Sequence, residues 1–336
     1  MNRMTSILAG SLVSLISGSV SAGAFIFANG DEANRIAHPS SYFGTGGEIT
    51  VSVCIAPTSE SIDDMLVSVQ NTIDVWNARE PVSPNVLLGG SNDIPFDQID
   101  FESTLLHEVG HCLGLAHPNL ATESGLPGAD RNYTKADQGT NEVFDIDPGL
   151  DGIKGSADDL RGDDINLHWF NIGLNNPFVL TTPIDASNYS RDLADLPPGD
   201  NFAANADRSV GSALGFANSE AVMQQGAFFD EDQRQLGVDD VATLGLGMAG
   251  IDRTAGNSDD YIPVLEYGGV ASGCDITIEV TGTSFAFCSV GGSFISPDHL
   301  RITNASVQLG SASEIDWFFN QVSLNPDEVF EDRFEL

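Results

Sequence analysis

Basic side chains are scarce in this chain: 13 Lys and Arg stand against 49 Asp and Glu, a formal net charge of −36 over 336 residues. Phosphate backbones and anionic lipid surfaces are bound by clustered Lys and Arg, so no nucleic-acid partner is expected. Long apolar runs are also missing. The best of them, residues 7–16, is diluted by Ser and Gly and falls short of the roughly 20 residues that a spanning helix needs, so no membrane insertion is expected. Histidines number six, methionines five and cysteines four, so a site built from these types has few residues to draw on. What is plentiful is acid, which keeps a surface soluble and offers oxygen ligands to hard cations, and Gly at 35 residues, which implies many turns. A hydrophobic content of 41% is enough for a packed core.

The first 22 residues read as a secretory signal: Arg3, then the short apolar run, then small residues that place cleavage after Ala22 or Ala24. The expectation is a secreted protein, extracellular, periplasmic or held at the cell surface. Export makes the even cysteine count a disulfide signal. Cys274 and Cys288 flank one β-rich stretch and are expected to pair. That leaves Cys54, on a predicted strand, to staple Cys112 on a predicted helix, or leaves both as buried free thiols.

Half of the six histidines fall within eleven residues, His107-Glu108-Val109-Gly110-His111-Cys112-Leu113-Gly114-Leu115-Ala116-His117. On a helix, residues four apart share a face, so His107 and His111 can present two imidazoles to one point. Gly114 is the residue type that tolerates positive φ, so it can end the helix and bring His117 back as a third ligand. Three protein ligands leave one tetrahedral position for water, which marks a catalytic rather than a structural zinc. Glu108 follows the first ligand and lies beside that open position, where it can act as general base.

This H-E-x-x-H-x-x-G-x-x-H pattern resembles that of the metzincin zinc metallopeptidases, whose signature adds a downstream Met-turn. In residues 219–226, Met223 is the candidate. Met1 and Met4 lie in the signal, Met65 in a predicted helix and Met248 in a Gly-rich run. Met223 is followed by Leu236-Gly237-Val238-Asp239-Asp240, which resembles the start of the closing helix in matrixin-like members, with Asp239 as its cap. In that family the methionine forms an apolar floor beneath the imidazoles. No Cys in a P-R-C-G-like context occurs, so latency by a cysteine switch is not expected.

The resemblance implies an α+β, metzincin-like catalytic domain over residues 23–250: twisted sheet, long helix, zinc helix, Met-turn and closing helix. A β-branched run predicts a strand over 48–55. Residues 61–64 read as a capping box opening a helix that ends near Arg79, with Met65, Val69, Ile73 and Trp76 at helical spacing. Asp100 is the expected N-cap of the zinc helix. The link over 80–99 is too short for the rest of a five-stranded sheet. The sheet is therefore expected to be abbreviated, or completed from residues 23–47 or from the long insertion at 118–218. That insertion carries Asp145, Asp147, Asp151, Asp158, Asp163 and Asp164 among glycines. Carboxylates in tight Gly-bearing loops suit Ca2+, although the spacing is not that of an EF-hand, and a solvated acidic loop is the other reading. His168, also in the insertion, is expected to be packed and hydrogen-bonded. Residues 251–324 predict five short strands forming a small all-β C-terminal module stapled by Cys274–Cys288, which binds substrate or surface or completes the fold. Residues 325–336 form an acidic tail.

The function implied is that of a secreted zinc-dependent endopeptidase acting on protein or peptide substrates, with Zn2+ on His107, His111 and His117 and with Glu108 as general base. Two alternatives stand beside it: a secreted metal-binding adhesion or binding protein with little turnover, and a zinc amidase acting on cell-wall peptides.

Overall fold

The computed structural model describes residues 22–28, 34–82, 92–117, 146–147, 160–161, 169–172, 180–192, 195, 220–224 and 226–325. The first 21 residues and the tail beyond Asn325 lie outside them, as do His168 and, of the acidic insertion, Asp145, Asp151, Asp158, Asp163 and Asp164. Asp147 is described only as backbone, in the hairpin of β6 (Ile146–Asp147) and β7 (Leu160–Arg161). The expected calcium site therefore falls outside the described side chains.

The protein is α+β, with its main sheet built around β3 (Gly47–Ile55). Ile49, Val51, Val53 and Ile55 alternate along β3 and are all buried, as a half-buried strand requires. β10 (Tyr261–Val270) and β11 (Ile276–Val280) lie parallel on its two sides. β13 (His299–Leu309) is parallel to β11, and β12 (Ala286–Ser296) closes that edge antiparallel to β13. β2 (Ile36–His38) adds a short parallel pairing at the start of β13.

The sheet is thus complete, and of the segments considered for its missing strands residues 23–47 contribute only the short β2. The others come from residues 261–309, which places the expected C-terminal module inside the main sheet instead of beside it. Parallel neighbours cannot be joined by a tight turn, so a long excursion between them is compatible with the pairing. Here the excursion from β3 to β10 holds all three helices of the described residues.

The cysteine connectivity changes for the same reason. Cys54 pairs with Cys274 and Cys112 with Cys288, with Cα–Cα distances of 5.8 and 6.0 Å. The expected Cys274–Cys288 and Cys54–Cys112 pairs are not made. β12 runs antiparallel to β13, and β13 lies between it and β11. Cys288 stands opposite Val307, whose other neighbour is Ile278. Cys288 is therefore two strand spacings from β11, about 9–10 Å, beyond disulfide reach. Cys274 lies instead just ahead of the segment in which Thr277 pairs with Cys54 on β3.

Among the described residues three helices complete the layers. α1 (Ile62–Ala78) buries Met65, Val69, Ile73 and Trp76 at helical spacing and packs against β10. The capping box expected at its start is not formed: Ser61 has φ of 56° and its side chain makes no capping bond, while its carbonyl accepts from Asp64 and Met65 N–H. α2 (Phe101–Cys112) packs against α1, β12 and β13. α3 (Val238–Met248) buries Val241, Leu244 and Leu246 and packs on β1 (Ala22–Phe25), β2 and β10. Its N-cap is Gly237, with Asp240 accepting from the Gly237 N–H; Asp239, the expected cap, lies inside the helix.

A second sheet joins β5 (Leu115–Ala116), β1, β8 (Trp169–Asn171) and β9 (Tyr189–Ser190). β4 (Ile99–Asp100) pairs with β14 (Trp317–Phe318) at the entry to α2. No helix among the described residues is long and apolar enough to cross a membrane.

Candidate metal centre

The start of α2 is anchored before any metal chemistry is considered. Asp100 caps the helix, its Oδ2 accepting the Ser103 N–H at 3.0 Å, as expected of its type. Arg234 grips the same carboxylate with two bonds, Nε to Oδ2 at 2.9 Å and Nη2 to Oδ1 at 2.8 Å. Trp76 of α1 donates Nε1–H to the Leu106 carbonyl at 3.0 Å. Gly114 follows the helix with φ of +111°, a left-handed value that a side chain would resist, and the chain turns into β5. His117 then stands beside the first two histidines.

The Nε2 of His117 lies 3.1 Å from His107 Nε2 and 3.2 Å from His111 Nε2. The opposite ring nitrogens are committed elsewhere. His107 Nδ1 lies 2.6 Å from the Val222 carbonyl and His111 Nδ1 lies 2.9 Å from the Leu115 carbonyl. A carbonyl only accepts, so both Nδ1 atoms carry the proton, and in the neutral rings both Nε2 atoms present lone pairs. His117 Nε2 carries at most one proton and cannot satisfy both. Burial, reinforced by the neighbouring rings, holds His107 down to about 3 and His117 well below the usual range; burial also lowers His111. All three rings are therefore neutral near pH 7.

Such a donor set fits a cation. Tetrahedral zinc with nitrogens at about 2.05 Å would separate them by about 3.3–3.4 Å, close to the spacing of this cluster. His107, His111 and His117 are also the one group of metal-ligand type among the described residues whose ligand atoms converge.

Glu108 completes the site. It lines a cleft of about 270 Å³ together with His107, His117, Phe228, Phe285 and Ala286. Its side chain is buried and its Oε2 has no hydrogen-bond partner. Burial pushes its pKa up to about 7, with the nearby Cys288 backbone N–H pulling the other way. A carboxyl so poised exchanges a proton readily near neutral pH.

Comparison of the chain with protein-family models, curated proteins and solved structures returned no match. The reading of the centre rests on its own geometry.

Met223 lies in a turn beneath the cluster, buried against Gly110. A Cβ on Gly110 would overlap Met223 Sδ and come within 2.9 Å of Trp76 Cζ2, so the backbone of α2 can meet the turn only at glycine. The turn is held by Asp240, whose Oδ2 and Oδ1 accept the Val222 and Met223 N–H groups, each at 2.9 Å. Val222, thus fixed, supplies the carbonyl that orients His107. Asp240, Gly110, Val222 and Cys288 were not singled out as site residues from the sequence. Asp240 alone carried a visible signal, as the second acid of the pair after Val238. Backbone carbonyls and N–H groups leave no trace in residue type.

Proposed function

We propose that the chain is a zinc-dependent endopeptidase, with His107, His111 and His117 holding the metal and Glu108 as general base, as its resemblance to the metzincins implies. The observation that carries this reading is the unpartnered Oε2 of a buried glutamate in the same cleft as three converging imidazole lone pairs. Bound zinc supplies Lewis acidity, which activates water and polarises a carbonyl.

The remaining chemistry falls to the chain's own residues. Among the described strands β12 is the last of its sheet, and its residue Ala286 lines the cleft. An extended peptide laid along that edge can pair with its backbone, which brings a peptide bond past Glu108. Phe228 and Phe285 give the cleft an apolar wall for a substrate side chain. Glu108 takes a proton from the attacking water at Oε2 and delivers it to the leaving amine, a shuttle that suits a carboxyl poised near neutrality. Asp240 and Val222 hold His107 in the tautomer that faces the metal. Two disulfides suit the oxidising compartment that a secreted enzyme works in.

Hydrolysis of casein and fluorogenic peptides with and without 1,10-phenanthroline tests the proposal. Cleavage is expected to be chelator-sensitive. Glu108→Gln is expected to retain zinc and to lose about 10²–10⁴-fold in kcat, the range typical of a general base. Full activity in that variant, or zinc bound with no cleavage by the wild type, would sink it.

A further inference from the structure

Glu108 and Cys112 stand four residues apart on α2 and project from the same side of the helix. Both meet a single residue of the edge strand. Cys112 is bonded through sulfur to Cys288, and the backbone N–H of that same Cys288 acts on the Glu108 carboxylate. Oε2 of that carboxylate is buried without a hydrogen-bond partner, and the glutamate lines the cleft. β12 pairs with β13 alone among the described strands, so hydrogen bonding fixes it to the sheet on one side only. Between α2 and β12, the crosslink sits one helical turn beyond the glutamate.

We propose that Cys112 and Cys288 are positioning residues for Glu108: their disulfide holds the β12 backbone against α2 so that the Cys288 N–H orients the carboxylate towards the metal cluster. The inference rests on the endopeptidase reading, in which Glu108 is the base. A misplacement of about 1 Å in a catalytic group can cost on the order of 10²-fold in rate, so a crosslink at this spot has a kinetic as well as a stabilising role. The second disulfide provides the contrast. Cys54–Cys274 spans a comparable length of chain, 220 residues against 176, but ties β3 to the segment leading into β11 and touches no residue of the centre.

The test compares full-length Cys112→Ala/Cys288→Ala with Cys54→Ala/Cys274→Ala, each well below its own melting temperature, with kcat expressed per bound zinc. Both pairs of substitutions are expected to lower the melting temperature. Only the first is expected to lower kcat, by about tenfold or more, while KM stays within about threefold. Should that variant fold poorly, Cys112→Val/Cys288→Ala restores part of the lost volume.

A second arm needs no turnover. Labelling with 15N-cysteine gives four amide signals, and the exchange of the Cys288 amide with solvent is followed. It is expected to quicken in Glu108→Ala, which keeps both disulfides, and in Cys112→Ala, but not in Cys54→Ala. An unchanged kcat per zinc in the Cys112/Cys288 variant, an equal loss in the Cys54/Cys274 variant, or a Cys288 amide indifferent to Glu108→Ala would overturn the proposal. If the wild type cleaves no peptide, the endopeptidase reading fails on its own, and the amide arm alone decides whether the crosslink positions Glu108.

Discussion

Glu102 lies on α2 about one turn before the three histidines, and its side chain is buried. Its Oε2 accepts from Asn71 Nδ2 at 2.9 Å and from Asn320 Nδ2 at 2.8 Å, tying α1 and the segment after β14 to α2. Burial pushes its pKa from 4.5 up to about 7, against the pull of the two amides and of Arg234. The unfolded carboxyl releases its proton near pH 4.5 and the folded one near 7, so the folded state holds the proton longer. Stability from this group is full below the unfolded value and declines as pH rises through the folded one. Glu102→Gln keeps the acceptor oxygen and removes the titration. The stability of the variant relative to wild type is therefore expected to rise by about 2–3 kcal/mol between pH 5 and 8, measured by urea unfolding across that range. A difference that stays flat with pH would show that Glu102 titrates normally.

At the scale of elements, the centre depends on three contacts between segments distant in sequence: α1 to α2 through Trp76, α3 to the Met223 turn through Asp240, and α2 to β12 through Cys288. The second gives a prediction that distinguishes scaffold from ligand. Asp240 touches no imidazole, yet it fixes the two N–H groups that place the Val222 carbonyl. Asp240→Ala leaves those buried donors unpaired and removes the bond to Gly237 at the start of α3. The variant is expected to lose about 2–4 kcal/mol of stability and to bind zinc more weakly, because His107 loses its orienting partner. Denaturant unfolding and competitive zinc titration read the two effects; undiminished zinc affinity would separate the turn from the centre.

At the scale of the molecule, the sheet is assembled from both ends of the chain. β3 has both its parallel neighbours in residues 261–280, and α2, which carries Glu108, is crosslinked to β12 through Cys112–Cys288. Residues 1–250 therefore cannot form the sheet on which α1 and α2 pack. A chain ending at residue 250 is expected to lack a cooperative melting transition and to bind no zinc tightly, as judged by circular dichroism and metal titration. A stably folded, zinc-binding fragment would restore the view of residues 251–324 as a separate module. The strands in that segment were legible from alternation at Ile276, Ile278 and Val280 and at Val307 and Leu309. Their partner was not, because alternation tells a strand which face is buried and never which strand lies beside it.

The same division runs through the whole protein. The sequence by itself determined the histidine-bearing helix α2 and the convergence of His107, His111 and His117, because i to i+4 spacing, the Asp100 cap and the turn at Gly114 are local devices. It also placed Met223, because few methionines competed for the position. Tertiary structure alone decided the crossed disulfides, the completion of the sheet from the C-terminal strands, the bonds by which Asp240 holds the Met223 turn, and the approach of Cys288 to the centre. Those features join residues far apart in the chain through backbone groups and parallel strand order, neither of which residue type or periodicity encodes.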